Sequence, residues 1–190
     1  MLQLQKGRPQ STEGREAKEI KTYDFLDALA IEYERVDHEP VMTMEACEEI
    51  DELLGNVLCK NLLLTDRKRS VYFLLMIRAD KRLDTKVLSH RLGTSRLSFA
   101  KGEEMEELLH LTPGSLTAMG LIFDTEHRVD VLIDEALCDE TYLSCHPCVN
   151  TSSIRLLMKD FRERFLPAVH HELKVVSLEP DEEGENGESK

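Results

Sequence analysis

Residues 57–80 read VLCKNLLLTDRKRSVYFLLMIRAD, and this stretch holds two apolar runs joined by three consecutive basic residues. The runs span 57–66 and 70–80, and Arg67, Lys68 and Arg69 lie between them. Both runs are short and strongly apolar, and a polar link between two such runs marks a turn. The stretch therefore predicts a hairpin of two buried strands with a basic tip.

Helical and extended patterns mix irregularly on both sides of this hairpin. Helices are predicted over 22–33, 44–55, 84–93, 102–111 and 153–171, with Thr43 as the N-cap of the second and a break before Pro167 in the last. Strands are predicted over 32–38 and 173–178, and a second hairpin pairs 118–124 with 128–134. Because strands and helices do not strictly alternate, we predict an α+β fold, a single domain with a central mixed sheet surrounded by helices.

The composition favours one soluble domain with flexible ends. Of the 190 residues, 41% are hydrophobic, and no run approaches the roughly 18 apolar residues that a membrane span requires. The polar N-terminus does not read as a secretory signal, and five cysteines form no even framework, so we expect a reduced, cytoplasmic chain. We predict a flexible segment over 1–20, one domain over 21–178 and a disordered acidic tail over 179–190.

Charge is distributed very unevenly along the chain. The net charge is −13, yet residues 60–101 hold eleven Lys and Arg against three Asp, while residues 179–190 hold six acidic residues against one lysine. A basic island in an acidic protein can contact phosphates while the remainder discourages indiscriminate binding. The alternative is that these are solvated surface charges without a partner.

A Cys-x-x-Cys pair lies within SCHPCVNTSS (144–153). A structural zinc site usually needs four ligands, and a second pair with suitable spacing is missing, so we predict no metal. A redox pair is expected at the start of a helix after a strand, which this polar stretch does not resemble. A thiol nucleophile at Cys59, Cys145 or Cys148 has no evident orienting partner. We therefore expect small buried cysteines beside a functional histidine, and no cofactor.

Two further features indicate a ligand site. Lys60 lies inside an apolar run, where its ammonium either extends to the surface or faces a cleft that holds an anion. Pro113, Gly114 and Ser115 form a turn signal, and the amides of such a turn can bind a ligand oxygen. An ordinary loop is the alternative for this second feature.

Taken in order, these stretches resemble the YbaK/ProRS-editing-domain family of aminoacyl-tRNA deacylases. The resemblance covers about residues 21–177 and is greater to the freestanding ProXp-ala or PrdX branch. It is carried by VDHEPVMTMEA (36–46), CKNLLLTD (59–66), DKRLDTKVLSHRLGTSRLSFA (80–100), LTPGSLTAMGLIFD (111–124) and HPCVNTSS (146–153). The family loop usually runs G-x-x-x-P, and Ala118 stands at the proline position of this chain.

The resemblance implies hydrolysis of a mischarged aminoacyl ester on tRNA, with Ala-tRNA(Pro) as the first candidate. It implies catalytic roles for Lys60, Gly114 and His146, with the tRNA's terminal 2′-hydroxyl helping to activate water. The implied substrate-binding residues are His38, Asn61, Ser115 and Asn150. With the basic island, it makes Arg67, Lys68, Arg69, Lys81 and Arg82 candidates for tRNA phosphates. The implied partners are aminoacylated tRNA and prolyl-tRNA synthetase, whereas the oligomeric state is not implied.

Three other functions remain open from the sequence. The same fold can sense an amino acid or aminoacyl-tRNA without catalysis, although the presence of Lys60 argues against this. A deacylase for Cys-tRNA(Pro) or Ser-tRNA would carry the same residues. A thiol or zinc protein centred on Cys145 and Cys148 is the third, and metal analysis of the reduced protein distinguishes it.

Overall fold

The computed structural model of the chain describes residues 2–40, 44–55 and 59–179, with side chains for all of them except 44–48. Its helices are α1 (Ala17–Ala28), α2 (Met44–Leu54), α3 (Thr85–Arg91), α4 (Gly102–Leu109), α5 (Met158–Asp160) and α6 (Leu166–Ala168). Its strands are β1 (Gln5–Lys6), β2 (Tyr33–Asp37), β3 (Cys59–Thr65), β4 (Tyr72–Arg78), β5 (Ser98–Phe99), β6 (Val129–Asp134), β7 (Tyr142–Cys145), β8 (Ser152–Leu157) and β9 (Leu173–Val176).

The predicted hairpin forms the middle of a five-stranded mixed sheet with the order β5-β3-β4-β6-β9. β3 and β4 pair antiparallel, with Cys59 opposite Arg78 and Thr65 opposite Tyr72. β6 lies parallel to β4, and β9 lies parallel to β6. The hairpin and the mixed sheet are thus confirmed, as is the strand predicted near residue 173.

A second, antiparallel sheet has the order β1-β2-β8-β7. The α+β class and the central mixed sheet are confirmed, and the structure adds a second sheet that the sequence did not predict. Hydrophobic patterning identifies strands one at a time and does not say which distant strands pair, so the division into two sheets was not predictable.

Side-chain alternation along β3 divides its residues between two apolar layers. Leu63 packs in the large core between the two sheets, whereas Leu64 packs against Leu88 of α3 on the other side. Successive residues of a strand point to opposite faces, so Lys60 shares the α3 side with Leu64, and Asn61 shares the core side with Leu63.

The second predicted hairpin is wrong. Residues Ala118–Phe123 form a 3₁₀ helix, and the following strand β6 pairs in parallel with β4 instead. Thr117 caps this helix by accepting a hydrogen bond from the Met119 amide at 3.3 Å. A short apolar run is compatible with either a strand or a buried helical turn, and here the Thr117 cap favours the helical turn.

The last predicted helix also differs from the structure. The first part of the predicted range is strand β8, and helical structure begins only at Met158. No break precedes Pro167, because the π-helical turn Phe161–Phe165 shifts the hydrogen-bond register and Pro167 falls in the first turn of α6. Proline is tolerated there, since an amide at a helix start has no partner within the helix.

The N-terminal region contains more regular structure than predicted. β1 pairs with β2, and α1 begins at Ala17, so the predicted boundary at residue 21 falls inside a helix. Arg35 on β2 is buried and donates a hydrogen bond to the Gly7 carbonyl at 2.8 Å, which fixes this segment on the sheet.

Some predictions fall on other parts of the chain. The Thr43 cap and residues 180–190 of the acidic tail lie outside the described residues. Within the described part of the chain, no helix combines the length and apolarity needed to cross a membrane.

Candidate functional site

A cavity of about 290 Å³ opens where β3 begins. Its wall is formed by the start of β3, the turn after α4, the end of β7, the start of β8 and the last turns of α2. The lining residues are Asp51, Leu54, Cys59, Lys60, Asn61, Gly114, Leu116, Ser144, Cys145, His146 and Ser153. All three residues for which the resemblance implies catalytic roles therefore border one small cavity.

Lys60 lines this cavity from β3, and its ammonium group reaches the loop that follows β4. Nζ donates hydrogen bonds to the carbonyl of Ala79, at 3.0 Å, and to the carbonyl of Lys81. An ammonium has three N–H donors, so these two bonds leave one for a ligand. Both hydrogen-bond acceptors are neutral carbonyls, and the Asp80 carboxylate is close enough for its charge to interact with that of Lys60. An ammonium with an N–H still available can bind an oxyanion or a phosphate.

Asn61 presents an unpaired acceptor at the cavity. Its side-chain oxygen Oδ1 is buried and has no hydrogen-bond partner among the described residues. Leaving a buried acceptor unpaired costs about 1–3 kcal/mol. A ligand that donates a hydrogen bond to Oδ1 would recover this energy, so Asn61 can contribute to ligand binding.

The turn over residues 112–115 places Gly114 on the cavity wall. The Ser115 amide donates to the Thr112 carbonyl at 3.0 Å, with Pro113 and Gly114 at the two central positions. Gly114 has φ +92°, which the third residue of a type II turn requires and which other residues rarely adopt. The closing hydrogen bond of this turn does not use the Gly114 amide, and Gly114 lines the cavity, so this amide is a candidate donor to a ligand.

Ser115 and Asn150 lie next to Gly114 but are not among the lining residues. The Ser115 hydroxyl donates to the Thr112 carbonyl at 3.0 Å, so both its hydroxyl and its amide are used inside the turn. Nδ2 of Asn150 is 3.9 Å from the position that a Cβ on Gly114 would occupy. Ser115 therefore holds the turn together, and Asn150 lies close to Gly114.

His146 follows β7 and holds a defined tautomer. Its Nδ1 lies 3.0 Å from the Ser152 carbonyl oxygen, which only accepts, so Nδ1 carries the proton and Nε2 is the acceptor. Burial lowers the pKa of His146, the Ser152 carbonyl opposes this shift, and the nearby ring of His38 adds to it. The imidazole is therefore neutral at pH 7, and Nε2 has a lone pair that can accept a hydrogen bond.

His38 reaches the cavity wall through Ser153. Its Nε2 lies 3.0 Å from the Ser153 hydroxyl oxygen, and its Nδ1 lies 2.8 Å from the Glu39 carbonyl oxygen. The His38 and His146 rings are 6.3 Å apart, measured between centroids. His38 thus orients a lining hydroxyl and is not itself a lining residue.

The two cysteines that line the cavity, Cys59 and Cys145, and the nearby Cys148 are poor nucleophiles. Burial raises the pKa of Cys59 to about 12 and that of Cys148 to about 12, and it also raises the pKa of Cys145 well above its usual range. These thiols stay protonated at neutral pH, and only the thiolate is strongly nucleophilic. No group of three or more His, Cys, Asp or Glu side chains in the described part of the chain is arranged to hold a metal ion.

The candidate tRNA-binding residues fall into two groups at opposite ends of the hairpin. Arg67, Lys68 and Arg69 lie in the turn between β3 and β4, whereas Lys81 and Arg82 follow β4. β3 is 7 residues long, so the two groups are separated by roughly 20 Å. Lys81 and Arg82 are the group next to Lys60 and the cavity.

Two of the five basic residues are engaged in ion pairs. Arg69 pairs with Glu104, and Lys81 pairs with Asp134 at 3.2 Å and with Glu179 at 3.0 Å. The other three are exposed, and none of them forms an ion pair with another residue that the structure describes.

Five further lining residues were not identified individually as site residues from the sequence. Asp51 and Leu54 come from α2, Leu116 follows the Gly114 turn, and Ser144 and Ser153 lie on neighbouring strands. Small polar residues on strands and one acidic residue on an acidic helix are common, so only their convergence in space marks them.

Comparisons with known proteins agree with this architecture. Residues 38–163 match the family model of the aminoacyl-tRNA editing domain. The chain is 31% identical over 153 residues to the prolyl-tRNA editing protein ProX of Acetoanaerobium sticklandii, which covers 80% of this chain and 93% of that protein. It is 34% identical over 158 residues to prolyl-tRNA synthetase associated domain-containing protein 1 of Danio rerio, which covers 82% of this chain and 85% of that protein.

A solved structure has the same fold. It is described as that of a candidate trans-editing enzyme for prolyl tRNA synthetase, and it superposes with a TM-score of 0.64 over 87% of this chain and 98% of its own, at 16% sequence identity. At this identity the likeness concerns the fold alone. On the family match and the sequence relatives, the chain belongs to the aminoacyl-tRNA editing domain family.

Proposed function

We propose that this protein hydrolyses the ester of mischarged aminoacyl-tRNA in the cavity at the start of β3, with Ala-tRNA(Pro) as its substrate. Deacylation of aminoacyl-tRNA is the activity of the family to which the chain belongs. The observation that carries the proposal is that Lys60, Gly114 and His146 all border one cavity of about 290 Å³.

The chemistry requires a positioned water and stabilisation of an oxyanion. Water adds to the ester carbonyl carbon, the tetrahedral intermediate collapses, and the ribose hydroxyl leaves with a proton while the free amino acid departs. The remaining N–H of Lys60 and the Gly114 amide are the donors that would bind the developing oxyanion or hold the terminal phosphate. Such preorganised donors are each worth about 10²–10³ in rate.

The neutral His146 orients a proton donor in this scheme. Its Nε2 can accept a hydrogen bond from the attacking water or from the terminal 2′-hydroxyl of the tRNA. Because the ester is already activated, this orientation suffices without a Ser-His-Asp arrangement. The unpaired Oδ1 of Asn61 would accept a hydrogen bond from the substrate's ammonium or hydroxyl group.

Cavity size would supply the amino-acid specificity. A volume of about 290 Å³ is at the lower limit of small-molecule sites, about 300–1,000 Å³. A synthetase pocket made for proline rejects the smaller alanine by only about 1–3 kcal/mol per methylene. A second site that admits alanine and excludes proline corrects this error by hydrolysis.

The remaining assignments follow from a tRNA substrate. The exposed basic residues contact the phosphates of the acceptor end. The cavity wall is supported by His38, Ser115 and Asn150. The protein acts in the cytoplasm, where tRNA is charged. Prolyl-tRNA synthetase is the proposed partner, because its misacylated product is the substrate.

The test is a deacylation panel with Ala-, Cys-, Ser- and Pro-tRNA(Pro). We expect hydrolysis of the alanyl ester to exceed that of the prolyl ester by at least tenfold. Leu116→Ala, which enlarges the cavity, should raise the rate on Pro-tRNA(Pro), whereas Leu53→Ala, which does not line the cavity, should not. Binding of aminoacyl-tRNA without hydrolysis of any ester would contradict the proposal and favour a sensing protein.

A further inference from the structure

α3 covers one side of the five-stranded sheet and presents a basic surface to solvent. Leu88 of α3 packs against Leu64 and Ile77 of the sheet, so the opposite side of the helix faces outward. We call this outward surface, together with the turns on either side of it, the α3 face. Its exposed basic residues include Arg67, Lys68, Arg82, Lys86 and Arg96, whereas Arg91 at the end of α3 donates a hydrogen bond to the Glu179 carbonyl and is not counted among them.

The α3 face connects the two basic groups that lie at opposite ends of the hairpin. Arg82 precedes α3 at the cavity end, and the loop after α3 returns to the hairpin tip. There the Arg67 amide donates to the Ser95 hydroxyl at 3.3 Å, so Arg96 lies beside the tip. A surface that follows a strand of 7 residues extends roughly 20 Å, enough to follow several phosphates of a nucleic-acid strand.

Acidic side chains on this part of the chain are engaged locally. Residues 60–101 contain no glutamate, and their three aspartates are Asp66, Asp80 and Asp84. Asp84 accepts the Lys86 amide at 2.7 Å, Asp66 accepts the Ser70 amide at 2.7 Å, and Asp80 pairs with Arg78. None of the five basic residues of the α3 face forms an ion pair with another described residue, so their charges are available to an anionic partner.

The α3 face also adjoins the cavity. Lys60 points to the α3 side of β3, and its ammonium is bound to the Lys81 carbonyl, one residue before Arg82. The same residue, Lys60, therefore borders the cavity and the end of the basic surface. The end of a nucleic-acid strand that lies along this surface would therefore reach the cavity.

We propose that the α3 face binds the phosphate backbone of the tRNA acceptor arm and directs its 3′ end to Lys60. The inference rests on the proposed function and names the docking surface for its substrate. It assigns Lys86 and Arg96 to tRNA binding. Arg69 and Lys81 do not belong to the surface, because Glu104, Asp134 and Glu179 already pair with them.

The test compares two triple variants of equal charge change. The first, Arg82→Gln/Lys86→Gln/Arg96→Gln, removes three charges from the α3 face. The second, Arg128→Gln/Lys159→Gln/Lys174→Gln, removes three exposed charges elsewhere, each paired with a neighbouring carboxylate. The measurement is the Kd for uncharged tRNA from 50 to 200 mM salt, which requires no hydrolysis. Circular dichroism verifies that both variants fold.

We expect the first variant to raise Kd at least tenfold at low salt. It should also reduce the slope of log Kd against log salt by about 2, because each phosphate contact contributes roughly 0.7–0.9 to that slope. The second variant should stay within about twofold of wild type. Equal Kd and slope for the wild type and the first variant, or an equal loss in both variants, would overturn the docking surface. Tight binding through the α3 face without hydrolysis of any ester would leave the surface standing and refute the proposed function.

Discussion

At the scale of single residues, the site depends on how two neighbours on β3 are held. The sequence identifies Lys60 as a candidate site residue because a lysine inside an apolar run needs a polar partner for its ammonium. Its two carbonyl partners, however, come from a loop about 20 residues away. The unpaired oxygen of Asn61 is likewise visible only when the core closes around it. Ser115 shows the opposite case, because its hydroxyl serves the turn and not the cavity.

The tautomer and charge of His146 lead to a pH prediction. Burial lowers its pKa, so the folded protein resists protonation that the unfolded chain accepts near pH 6.5. The free energy that this residue contributes to stability is therefore fully present above about pH 6.5 and is lost as the pH falls through the folded-state pKa. Protonation of Nε2 also removes the acceptor, so kcat/KM should fall on the acid side with an apparent pKa below about 6.5.

The comparison variant is His146→Asn, which retains a donor for the Ser152 carbonyl but lacks an acceptor at Nε2. We expect kcat/KM about tenfold or more below wild type at pH 7.5 and no acid limb from this residue. An unchanged pH profile in the variant would show that His146 does not act through Nε2.

At the scale of elements, the sequence is most informative where apolar periodicity and turn residues agree. The β3–β4 hairpin, α3 and α4 follow directly from such agreement. The segment Ala118–Phe123 does not, because six apolar residues fit a strand as well as a buried helical turn. Its conformation is decided by the Thr117 cap and by close packing against Leu111, which are tertiary features.

Gly120 tests this packing. A Cβ at Gly120 would lie 2.6 Å from Cδ1 of Leu111, which is fully buried, so Gly120→Ala should lower the free energy of unfolding by about 1–3 kcal/mol. Urea denaturation measures this loss. In a Leu111→Ala background the clashing atom is absent, and the same substitution should cost less than about 0.5 kcal/mol. Equal costs in the two backgrounds would contradict the contact.

At the scale of the whole molecule, strand pairing over long sequence distances was beyond prediction. β2 pairs with β8 from the far end of the chain, and the N-terminal β1 extends the same sheet. The composition of residues 1–20 indicated a flexible segment, but it gave no hint that Arg35 would be buried beneath them. The cavity exists because these two sheets bring β3, β7 and β8 together.

Deletion of residues 2–8 tests the role of the N-terminal strand. Arg35 would lose the Gly7 carbonyl and the Gln5 side chain as acceptors and would keep Asp37. Because the buried guanidinium loses two acceptors, the deletion should lower the free energy of unfolding by about 2–4 kcal/mol, as measured by urea denaturation. Gln5→Ala should produce a smaller part of this loss. Wild-type stability after the deletion would favour the flexible segment that the composition predicts.

The most direct test of the central claim is the single-turnover rate of Ala-tRNA(Pro) deacylation by wild type, Lys60→Ala and Lys174→Ala. Lys174 is an exposed lysine paired with Asp130, remote in sequence from the cavity residues, and serves as the control. We expect the Lys60 variant to lose about 100-fold or more in rate, as for a donor to the oxyanion, and the control to match wild type. A Lys60→Ala protein that deacylates at the wild-type rate would contradict the account.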